Sequence, residues 1–446
     1  MSIGKLYRAG EGSVIVPGMK PGNVIPEDLG MKSYELHRID AIVEAGLDAK
    51  AYPGCQVLVL KDGQPVYDKC FGMHSDKDTT AVRPTDMFDL ASLTKTTATL
   101  LAVMKLYDEG KLKLTDKASQ YLPFLRNTNK KNITIKDLLL HESGLPPYIR
   151  FYLEAIDPNT VQGPYAQSWV DKWHRTQVSE HSYYCSDFKF KKGLVSAKES
   201  SVHTLHVADD MWLNKSFKNT ILQKIARCDM DGKRYVYSDL GFILLQQVVE
   251  AIAKLPMDLY IAKEFYAPMG LQRTMYLPLL RYSKQEIMPT AANDFLRRQD
   301  LCGYVHDEAA ACMGGISGNA GLFSTATEVA KIYQMLLNGG ELNGKRYLSE
   351  ATCRLFTTET SAISRRGLGF DKPDLSDLKN SPCAPSATSA VYGHTGFTGT
   401  CTWVDPENRT VYVFLSNRLC PNVWNTKLGE MNIRTNIQEA IYKSLK

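Results

Sequence analysis

Residues 88–107 read FDLASLTKTTATLLAVMKLY. The second half of this stretch is apolar at helical spacing, with Leu100, Leu101, Val103, Met104 and Leu106. It therefore predicts a largely buried helix. Ser92 and Lys95 stand three residues apart where that helix begins, so an alcohol and an amine share one helical face. Because the amine can take the proton of the alcohol, the stretch predicts a serine nucleophile.

The Ser-x-x-Lys spacing at Ser92 is weak evidence alone, because the chain repeats it elsewhere, including at Ser186 and Ser376. Only Ser92 leads into an apolar helix, whereas the other two serines lie in charged, loop-like stretches. A serine at a helix start also has its backbone N–H directed at the group it attacks, where the helix dipole favours a developing oxyanion. The context favours Ser92 as the nucleophile over its alternative role as a plain helix N-cap.

The composition is that of a globular protein rather than a disordered one. The 446 residues are 44% hydrophobic, and the formal net charge of +5 comes from 53 basic and 48 acidic residues. The basic residues form no strong block, so nucleic acid is not implied as a partner. The ten cysteines form no C-x-x-C pair, which argues against a zinc site or a disulfide framework and predicts mostly buried thiols.

The first 32 residues are rich in glycine and proline and predict an extended leader. The first twelve lack the apolar core of an export signal, so we expect no signal peptide in the chain as given. No run of about 18 apolar residues occurs, and we expect no transmembrane segment.

Two hairpins frame the chain. Residues 55–60 and 64–71 have the period of two that is typical of strands, and an Asp-Gly turn at 62–63 joins them. Residues 400–404 and 410–415 flank a second turn. A helix is predicted from about Ser33 onward and another over 428–445. The two ends of the chain are therefore expected to share one antiparallel sheet covered by helices, with a mostly helical region between them. Residues 150–230 are polar and aromatic with few regular periods, and predict a long excursion over the rim of the active site.

Two further segments have the composition that a catalytic serine and lysine pair would need around it. Tyr237 and Asp239 stand at the entrance of an apolar helix predicted over 240–252, where Ser238 or Asp239 can also cap it. The alternative is a cap with an aromatic neighbour and no chemistry. Residues 393–400 read GHTGFTGT and lead into a strand, where glycines would let a substrate backbone approach. The alternative there is a tight turn.

The segments of Ser92, Tyr237 and His394 follow one another along the chain. Their composition and order resemble those of the penicillin-recognising serine hydrolases of the class C β-lactamase, DD-peptidase and esterase type. The Ser-x-x-Lys element is intact, Tyr237-Ser238-Asp239 is similar to the family's Tyr-x-Asn, and His394-Thr395-Gly396 is similar to its Lys-Thr-Gly. Residues 138–146 (LLLHESGLP) and 314–324 (GGISGNAGLFS) add to the likeness. It covers about residues 33–446.

The resemblance implies an α+β chain with the serine β-lactamase/DD-peptidase fold: an antiparallel sheet of five or more strands flanked by helices, plus a mostly helical subdomain. Residues 33–446 would form one catalytic domain. Residues 33–90 and about 290–446 would supply the sheet part, and about 91–289 the helical part with its insertion at 150–230. The segment Val305–Ala309 and that insertion are also similar to the serine-hydrolase module that some gut Bacteroidetes proteins carry after a family 3 glycoside hydrolase domain.

The mechanism implied by the resemblance is acyl transfer without a metal or an organic cofactor. Ser92 would attack a carbonyl carbon, while Lys95 and Tyr237 move its proton. The N–H groups of Ser92 and Phe397 would form the oxyanion hole. The remaining implied substrate-binding residues are Asp239, His394, Thr395 and Gly396. We expect no metal at His306-Asp307-Glu308, because three adjacent residues rarely converge on one ion.

Two departures from the family pattern have physical consequences. An ionised Asp239 near Lys95 would favour the charged ammonium and make the lysine a poorer base. His394 replaces a charged lysine with a group that ordinarily titrates near neutrality, so we expect it to hold a substrate carboxylate best at mildly acid pH. Both departures argue against an efficient antibiotic-destroying enzyme.

The implied substrate is a small molecule or a peptidoglycan-derived one: an ester, an amide or a D-amino-acid peptide, met outside the cytoplasm. The alternative is a penicillin-binding or sensor protein that acylates without turnover. A third class, a structural or interaction module built on the C-terminal strands, has no sequence feature of its own. Tyr148, Phe151 and Tyr152 are candidates for the cleft edge, or else pack under a long loop.

Overall fold

The computed structural model describes residues 24–445. Its main sheet has five antiparallel strands: β1 (Gly54–Lys61), β2 (Gln64–Gly72), β3 (Tyr392–Gly396), β4 (Thr400–Asp405) and β5 (Thr410–Ser416). Their spatial order is β3-β4-β5-β1-β2. The central pair, β1 with β5, joins the two ends of the chain, with Val57 opposite Phe414. The prediction that both hairpins share one antiparallel sheet is confirmed.

Turn chemistry and side-chain alternation explain these strands. Asp62 and Gly63 have φ of +49° and +75° in the β1–β2 turn, the left-handed backbone that an Asp-Gly pair accepts. Along β1, Val57 and Val59 belong to one hydrophobic core, and Leu58 and Leu60 belong to the other. Since successive side chains point to opposite faces, the sheet is buried on both sides.

Five helices cover the sheet and form the middle region: α1 (Arg38–Asp48), α2 (Leu100–Asp108), α3 (Asp239–Ala253), α4 (Ala326–Leu337) and α5 (Ile433–Ser444). Helices α1 and α5 share the core of Val57 and Val59, while α4 packs on the other face with α2 and α3 behind it. The helices predicted from about Ser33, after Lys95 and over 240–252 are therefore confirmed. The remaining α-helices of the described residues are Ser33–Leu36, Ala118–Tyr121, Ile135–Leu139, Phe217–Arg227, Met257–Ile261, Glu308–Cys312, Glu350–Thr358 and Lys427–Glu430.

The insertion at 150–230 is not mostly helical. It contains two small three-stranded sheets followed by the helix Phe217–Arg227. The first sheet comprises Ala166–Gln167, Thr176–Ser179 and Ser182–Tyr184, and the second comprises Val195–Ser196, His203–Ala208 and Met211–Asn214. These strands are too short and too irregular in register for a period of two to stand out in the sequence.

Two expectations about the chain ends need correction. Of the predicted extended leader, residues 1–23 lie outside the described residues. Within the rest, Pro26–Leu29 forms a turn of 3-10 helix and Met31 is fully buried, bridging to Leu445. The helix predicted over 428–445 is divided, because Asn432 adopts a left-handed backbone (φ +50°) immediately before α5.

All ten cysteines are unpaired, and seven of them are buried, as predicted. Within residues 24–445 no single helix has the length and apolar character needed to cross a membrane. Helix α3 and the following Met257–Tyr266 meet those criteria only when taken together, and they are bent by 70° relative to one another.

Candidate active site

A strained turn presents Ser92. The strand Phe88–Asp89 pairs with Leu322–Ser324 in a small second sheet, and Ala91 then takes a left-handed backbone with φ of +48°. The Asp89 carboxylate stabilises this turn, because its Oδ1 accepts the Ala91 N–H at 2.9 Å. A non-glycine residue in this backbone region is costly and is typical of functional sites.

The predicted serine, lysine and tyrosine lie together. Lys95 Nζ donates to Ser92 Oγ at 2.9 Å, and Tyr237 OH donates to the same oxygen at 3.0 Å. Lys95 is fully buried in a wide, π-type turn (Lys95–Thr99) that continues into α2. Ser92 Oγ is thus held between the two groups that could carry its proton.

The Lys95 ammonium has two further partners. Its Nζ lies 2.7 Å from Asp239 Oδ1 and donates to the Asn319 carbonyl at 3.1 Å. Burial lowers the pKa of Lys95, but the Asp239 carboxylate and Tyr237 outweigh that effect and raise it above its usual range. The expectation that Asp239 favours the charged lysine is therefore confirmed in direction. Asn319 lies in the segment 314–324, and its contact with Lys95 had not been foreseen.

His141 holds the segment that carries Tyr237. Its carbonyl accepts the Val236 N–H at 2.9 Å, and its Nδ1 accepts the Ser238 N–H at 3.0 Å. The two rings of His141 and Tyr237 lie 4.6 Å apart. Burial, with the nearby cations, lowers the pKa of His141 well below its usual value, so the ring is neutral and can accept at Nδ1. The family resemblance had included residues 138–146, but it did not predict that His141 supports the segment of Tyr237.

The predicted side-chain cap of α3 is wrong. Ser238 occupies the N-cap position but makes no capping hydrogen bond to the helix, because its hydroxyl donates to the Pro146 carbonyl at 2.7 Å. The Asp239 carboxylate faces Lys95 instead. Both side chains therefore fix the approach of α3 to the nucleophile rather than the start of the helix.

The β3–β4 turn brings Phe397 beside the nucleophile turn. Thr398 and Thr400 donate side-chain hydrogen bonds to the carbonyls of Asp89 and Leu90, at 2.7 Å and 3.0 Å. A Cβ on Gly396 would lie 2.6 Å from the Leu90 carbonyl oxygen. The protein's own backbone therefore already requires this glycine.

The predicted oxyanion-hole donors are available. Among the described residues, neither the Ser92 N–H nor the Phe397 N–H has a hydrogen-bond acceptor. Unpaired backbone N–H groups that border a cleft are suited to bind a developing oxyanion. Thr395, between His394 and Gly396 in β3, is half-buried.

His394 does not have the titration that its sequence position suggested. It is buried, its Nδ1–H donates to the Thr395 carbonyl at 2.6 Å, and its Nε2 accepts from Arg366 at 3.4 Å. Burial and the neighbouring cations, Arg366 and Lys95, lower its pKa to about 3. The ring is thus neutral from mildly acid pH upward, and the expected acid preference for a substrate carboxylate is corrected.

Ser92 and Tyr237 line a cleft of about 480 Å³. Its walls include Tyr148, Arg150, Tyr152, Tyr184, Phe295 and Phe397. Of the three aromatic residues considered for the cleft edge, Tyr148 and Tyr152 line it, while Phe151 is fully buried in the core. The insertion therefore forms one wall of the site, through Tyr184 and residues 178–182.

His306, Asp307 and Glu308 do not converge on one point. Asp307 Oδ1 accepts from the Ala310 N–H and from Asn319 Nδ2, at 2.7 Å and 3.1 Å. His306 and Glu308 instead bring potential ligand atoms within 4.8 Å of those of Asp294. Both carboxylate oxygens of Asp294 already accept from the buried Arg297, so a guanidinium supplies the positive charge there.

Comparison with known proteins agrees with this geometry. Residues 39–427 match the Beta-lactamase family. The chain is 30% identical over 425 residues to "Putative D-alanyl-D-alanine carboxypeptidase" of Escherichia coli strain K12, covering 88% of this chain and 84% of that protein. It is 29% identical over 436 residues to the protein of the same name in Salmonella agona strain SL483, covering 91% and 87%.

Among solved structures, EstCE1, "a hydrolase with promiscuous acyltransferase activity", superposes with a TM-score of 0.62 at 19% identity, covering 92% of this chain and 99% of that one. At this identity the likeness shows the fold, and the fold is the one expected from the sequence. The family match covers the main sheet from β1 to β5 and every helix that positions Ser92, Lys95 and Tyr237. The chain belongs to the β-lactamase family of serine hydrolases.

Proposed function

We propose that this protein hydrolyses a small ester, an amide or a D-amino-acid peptide through an acyl-enzyme on Ser92. The observation that carries the proposal is the convergence of Lys95 Nζ and Tyr237 OH on Ser92 Oγ, at 2.9 Å and 3.0 Å, in a cleft of about 480 Å³. A cleft of this size holds a small molecule or the end of a peptide.

The chemistry runs in two halves. Ser92 Oγ bonds to the carbonyl carbon, and its proton passes to the pair formed by Lys95 and Tyr237, while the N–H groups of Ser92 and Phe397 hold the oxyanion. The pair then gives the proton to the departing alcohol or amine. Water attacks the acyl-enzyme in the second half, returns a proton to Ser92 and releases the acid.

The character of the cleft supports an uncharged or mixed substrate. His394 is neutral. Among the described residues that line the cleft, the one permanent cation is Arg150, and the carboxyl groups of Asp239, Asp307 and Glu308 line the same cleft. Because the Escherichia coli and Salmonella relatives are named as D-alanyl-D-alanine carboxypeptidases, D-alanyl peptides are among the substrates to be tested. A peptidoglycan-derived substrate would be met outside the cytoplasm, and that location is part of the proposal.

Turnover is the first property to measure. We expect a fluorescent penicillin to label the protein and the label to decay as the acyl-enzyme hydrolyses, with parallel release of product from para-nitrophenyl esters or D-alanyl peptides. A label that never decays, without product from any substrate, would contradict hydrolysis and support the penicillin-binding or sensor alternative. A chromogenic cephalosporin in the same panel separates lactam cleavage from ester cleavage.

Asp239→Asn is expected to shift the acidic limb of kcat/KM to lower pH. The Asp239 carboxylate raises the pKa of Lys95, so it makes the Lys95–Tyr237 pair hold its proton more tightly. Removing that negative charge lets the pair lose the proton at lower pH, by about one pH unit or more for a contact this close. The pH profile of acylation, measured under single-turnover conditions, checks this expectation. An unaltered profile would remove Asp239 from the site.

A further inference from the structure

A buried arginine lies directly behind Tyr237. The guanidinium carbon of Arg366 is 4.9 Å from the centre of the Tyr237 ring, and its Nε donates to Tyr235 OH at 3.0 Å. Its Nη1 donates to His394 Nε2 at 3.4 Å. Arg366 is 5% exposed, so this cation acts through a medium that water screens poorly.

The charges around Arg366 do not cancel. Asp371, which is 2% exposed, lies 3.3 Å from Arg366 Nη2 and also accepts two hydrogen bonds from Arg365, at 2.7 Å and 3.1 Å. One carboxylate therefore serves two guanidinium groups. His394 adds no charge, because it is neutral. A net positive charge is left beside Tyr237.

The position of this charge is fixed by the main sheet. The backbones of Asp371 and Gly393 exchange hydrogen bonds, at 2.8 Å and 3.1 Å, immediately before His394 in β3. Asp371 is thereby attached to the same strand that carries His394-Thr395-Gly396. Through their shared carboxylate, Arg365 and Arg366 are thus connected to β3.

We propose that Arg366 is a positioning residue that supplies, through His394 and across the Tyr237 ring, the fixed positive charge that His394 itself lacks. It stabilises Tyr237 when the tyrosine has given up its proton, and it keeps His394 in the tautomer whose Nδ1–H binds the Thr395 carbonyl. This inference rests on the proposed proton-transfer role of Tyr237. The guanidinium does not line the Ser92 cleft, so it is not offered as a substrate ligand.

Other charged or titratable groups also face Tyr237, from every element packed against it: Lys95 from the nucleophile turn, Asp239 from α3, His141 from its loop and His394 from β3. Lys95 and Asp239 form an ion pair of opposite charges, and His141 and His394 are both neutral because burial lowers their pKa values. Among the described residues, the remaining cation near the ring without a carboxylate of its own is the arginine pair, whose hydrogen-bonded carboxylate is Asp371.

The matched test compares Arg366→Gln with Arg365→Gln. Both variants remove one guanidinium from Asp371, but Arg365 makes no described contact with Tyr237 or His394. We expect Arg366→Gln to move the acidic limb of kcat/KM for a neutral ester up by about one pH unit and to lower kcat below that limb about tenfold or more, with KM little changed. Arg365→Gln should move the limb in the same direction but by a clearly smaller amount, because Arg366 stays beside the ring although Asp371 then pairs with it alone. Arg366→Lys should restore most of the wild-type limb.

Two outcomes would overturn the inference: an Arg366→Gln limb that coincides with that of the wild type, or an Arg365→Gln limb that moves equally. Near-UV circular dichroism of each variant shows whether the fold is kept. If Arg366→Gln does not fold, Arg366→Met replaces it as the variant that removes the charge, with the same expected shift of the limb. A wild-type protein that gives no acyl-enzyme at Ser92 would instead refute the proposed function, before any arginine is changed.

Discussion

Ser92→Ala is expected to lower kcat/KM for every substrate of the panel by about 10⁴-fold or more, and to abolish covalent labelling by a penicillin or a fluorophosphonate. The reason is geometric: Lys95 Nζ and Tyr237 OH both point to Ser92 Oγ. Without that oxygen they have no alcohol to deprotonate. The small difference in volume between serine and alanine leaves the half-buried position packed, so the free energy of unfolding should change little.

The chain supplies its own controls, because other serines, Ser186 and Ser376 among them, precede a lysine at the same spacing. Ser186 Oγ lies 2.9 Å from Thr176 Oγ1 in the insertion, and Ser376 Oγ is exposed and donates to Asp374 at 2.7 Å. We expect Ser186→Ala and Ser376→Ala to keep full labelling and turnover. Labelling that persists in Ser92→Ala, or disappears in either control, would show that the nucleophile has been misassigned.

The parts of this fold that could be predicted from the sequence are those set by local rules. The Asp-Gly turn and the alternating strands predicted the hairpin of β1 and β2, although not the shift in its register between Val59 and Leu60. The apolar run after Lys95 predicted α2. The approach of Ser92 to Lys95 follows from helical spacing alone. The approach of Tyr237 does not, because 145 residues separate it from Ser92, and it became visible only through resemblance to a family.

What escaped prediction depends on long-range packing. The contact of Asn319 with Lys95 is made by a backbone carbonyl, which no residue type announces. Arg366 lies in no motif, and its importance arises from sharing Asp371 with Arg365 next to β3. His394 illustrates the opposite error, in which the ordinary pKa of a residue was applied to a ring that burial holds neutral. The sequence gives the chemical type of an ionisable side chain, whereas the residues packed around that side chain decide whether it is charged.

Lys95→Met is expected to lower kcat about 10³-fold or more, within the range by which a general acid–base group contributes to catalysis. It should also destabilise the protein. Asp239 Oδ1 lies 2.7 Å from the fully buried Lys95 Nζ, and loss of the ammonium leaves this carboxylate oxygen without that partner. An uncompensated polar group costs about 1–3 kcal/mol, and Asp239 should lie at the lower end because its side chain is 24% exposed.

The double variant Lys95→Met/Asp239→Asn separates the two roles of the ion pair. With both charges removed, the free energy of unfolding should recover most of what Lys95→Met lost, because replacing both members of a buried pair is often close to neutral. Activity should not recover, since the pair can no longer accept the proton of Ser92. Denaturant unfolding and single-turnover kinetics of the two single variants and the double variant complete the cycle. If the double variant regained activity together with stability, Lys95 would be a structural residue, and Tyr237 alone would have to accept the proton of Ser92.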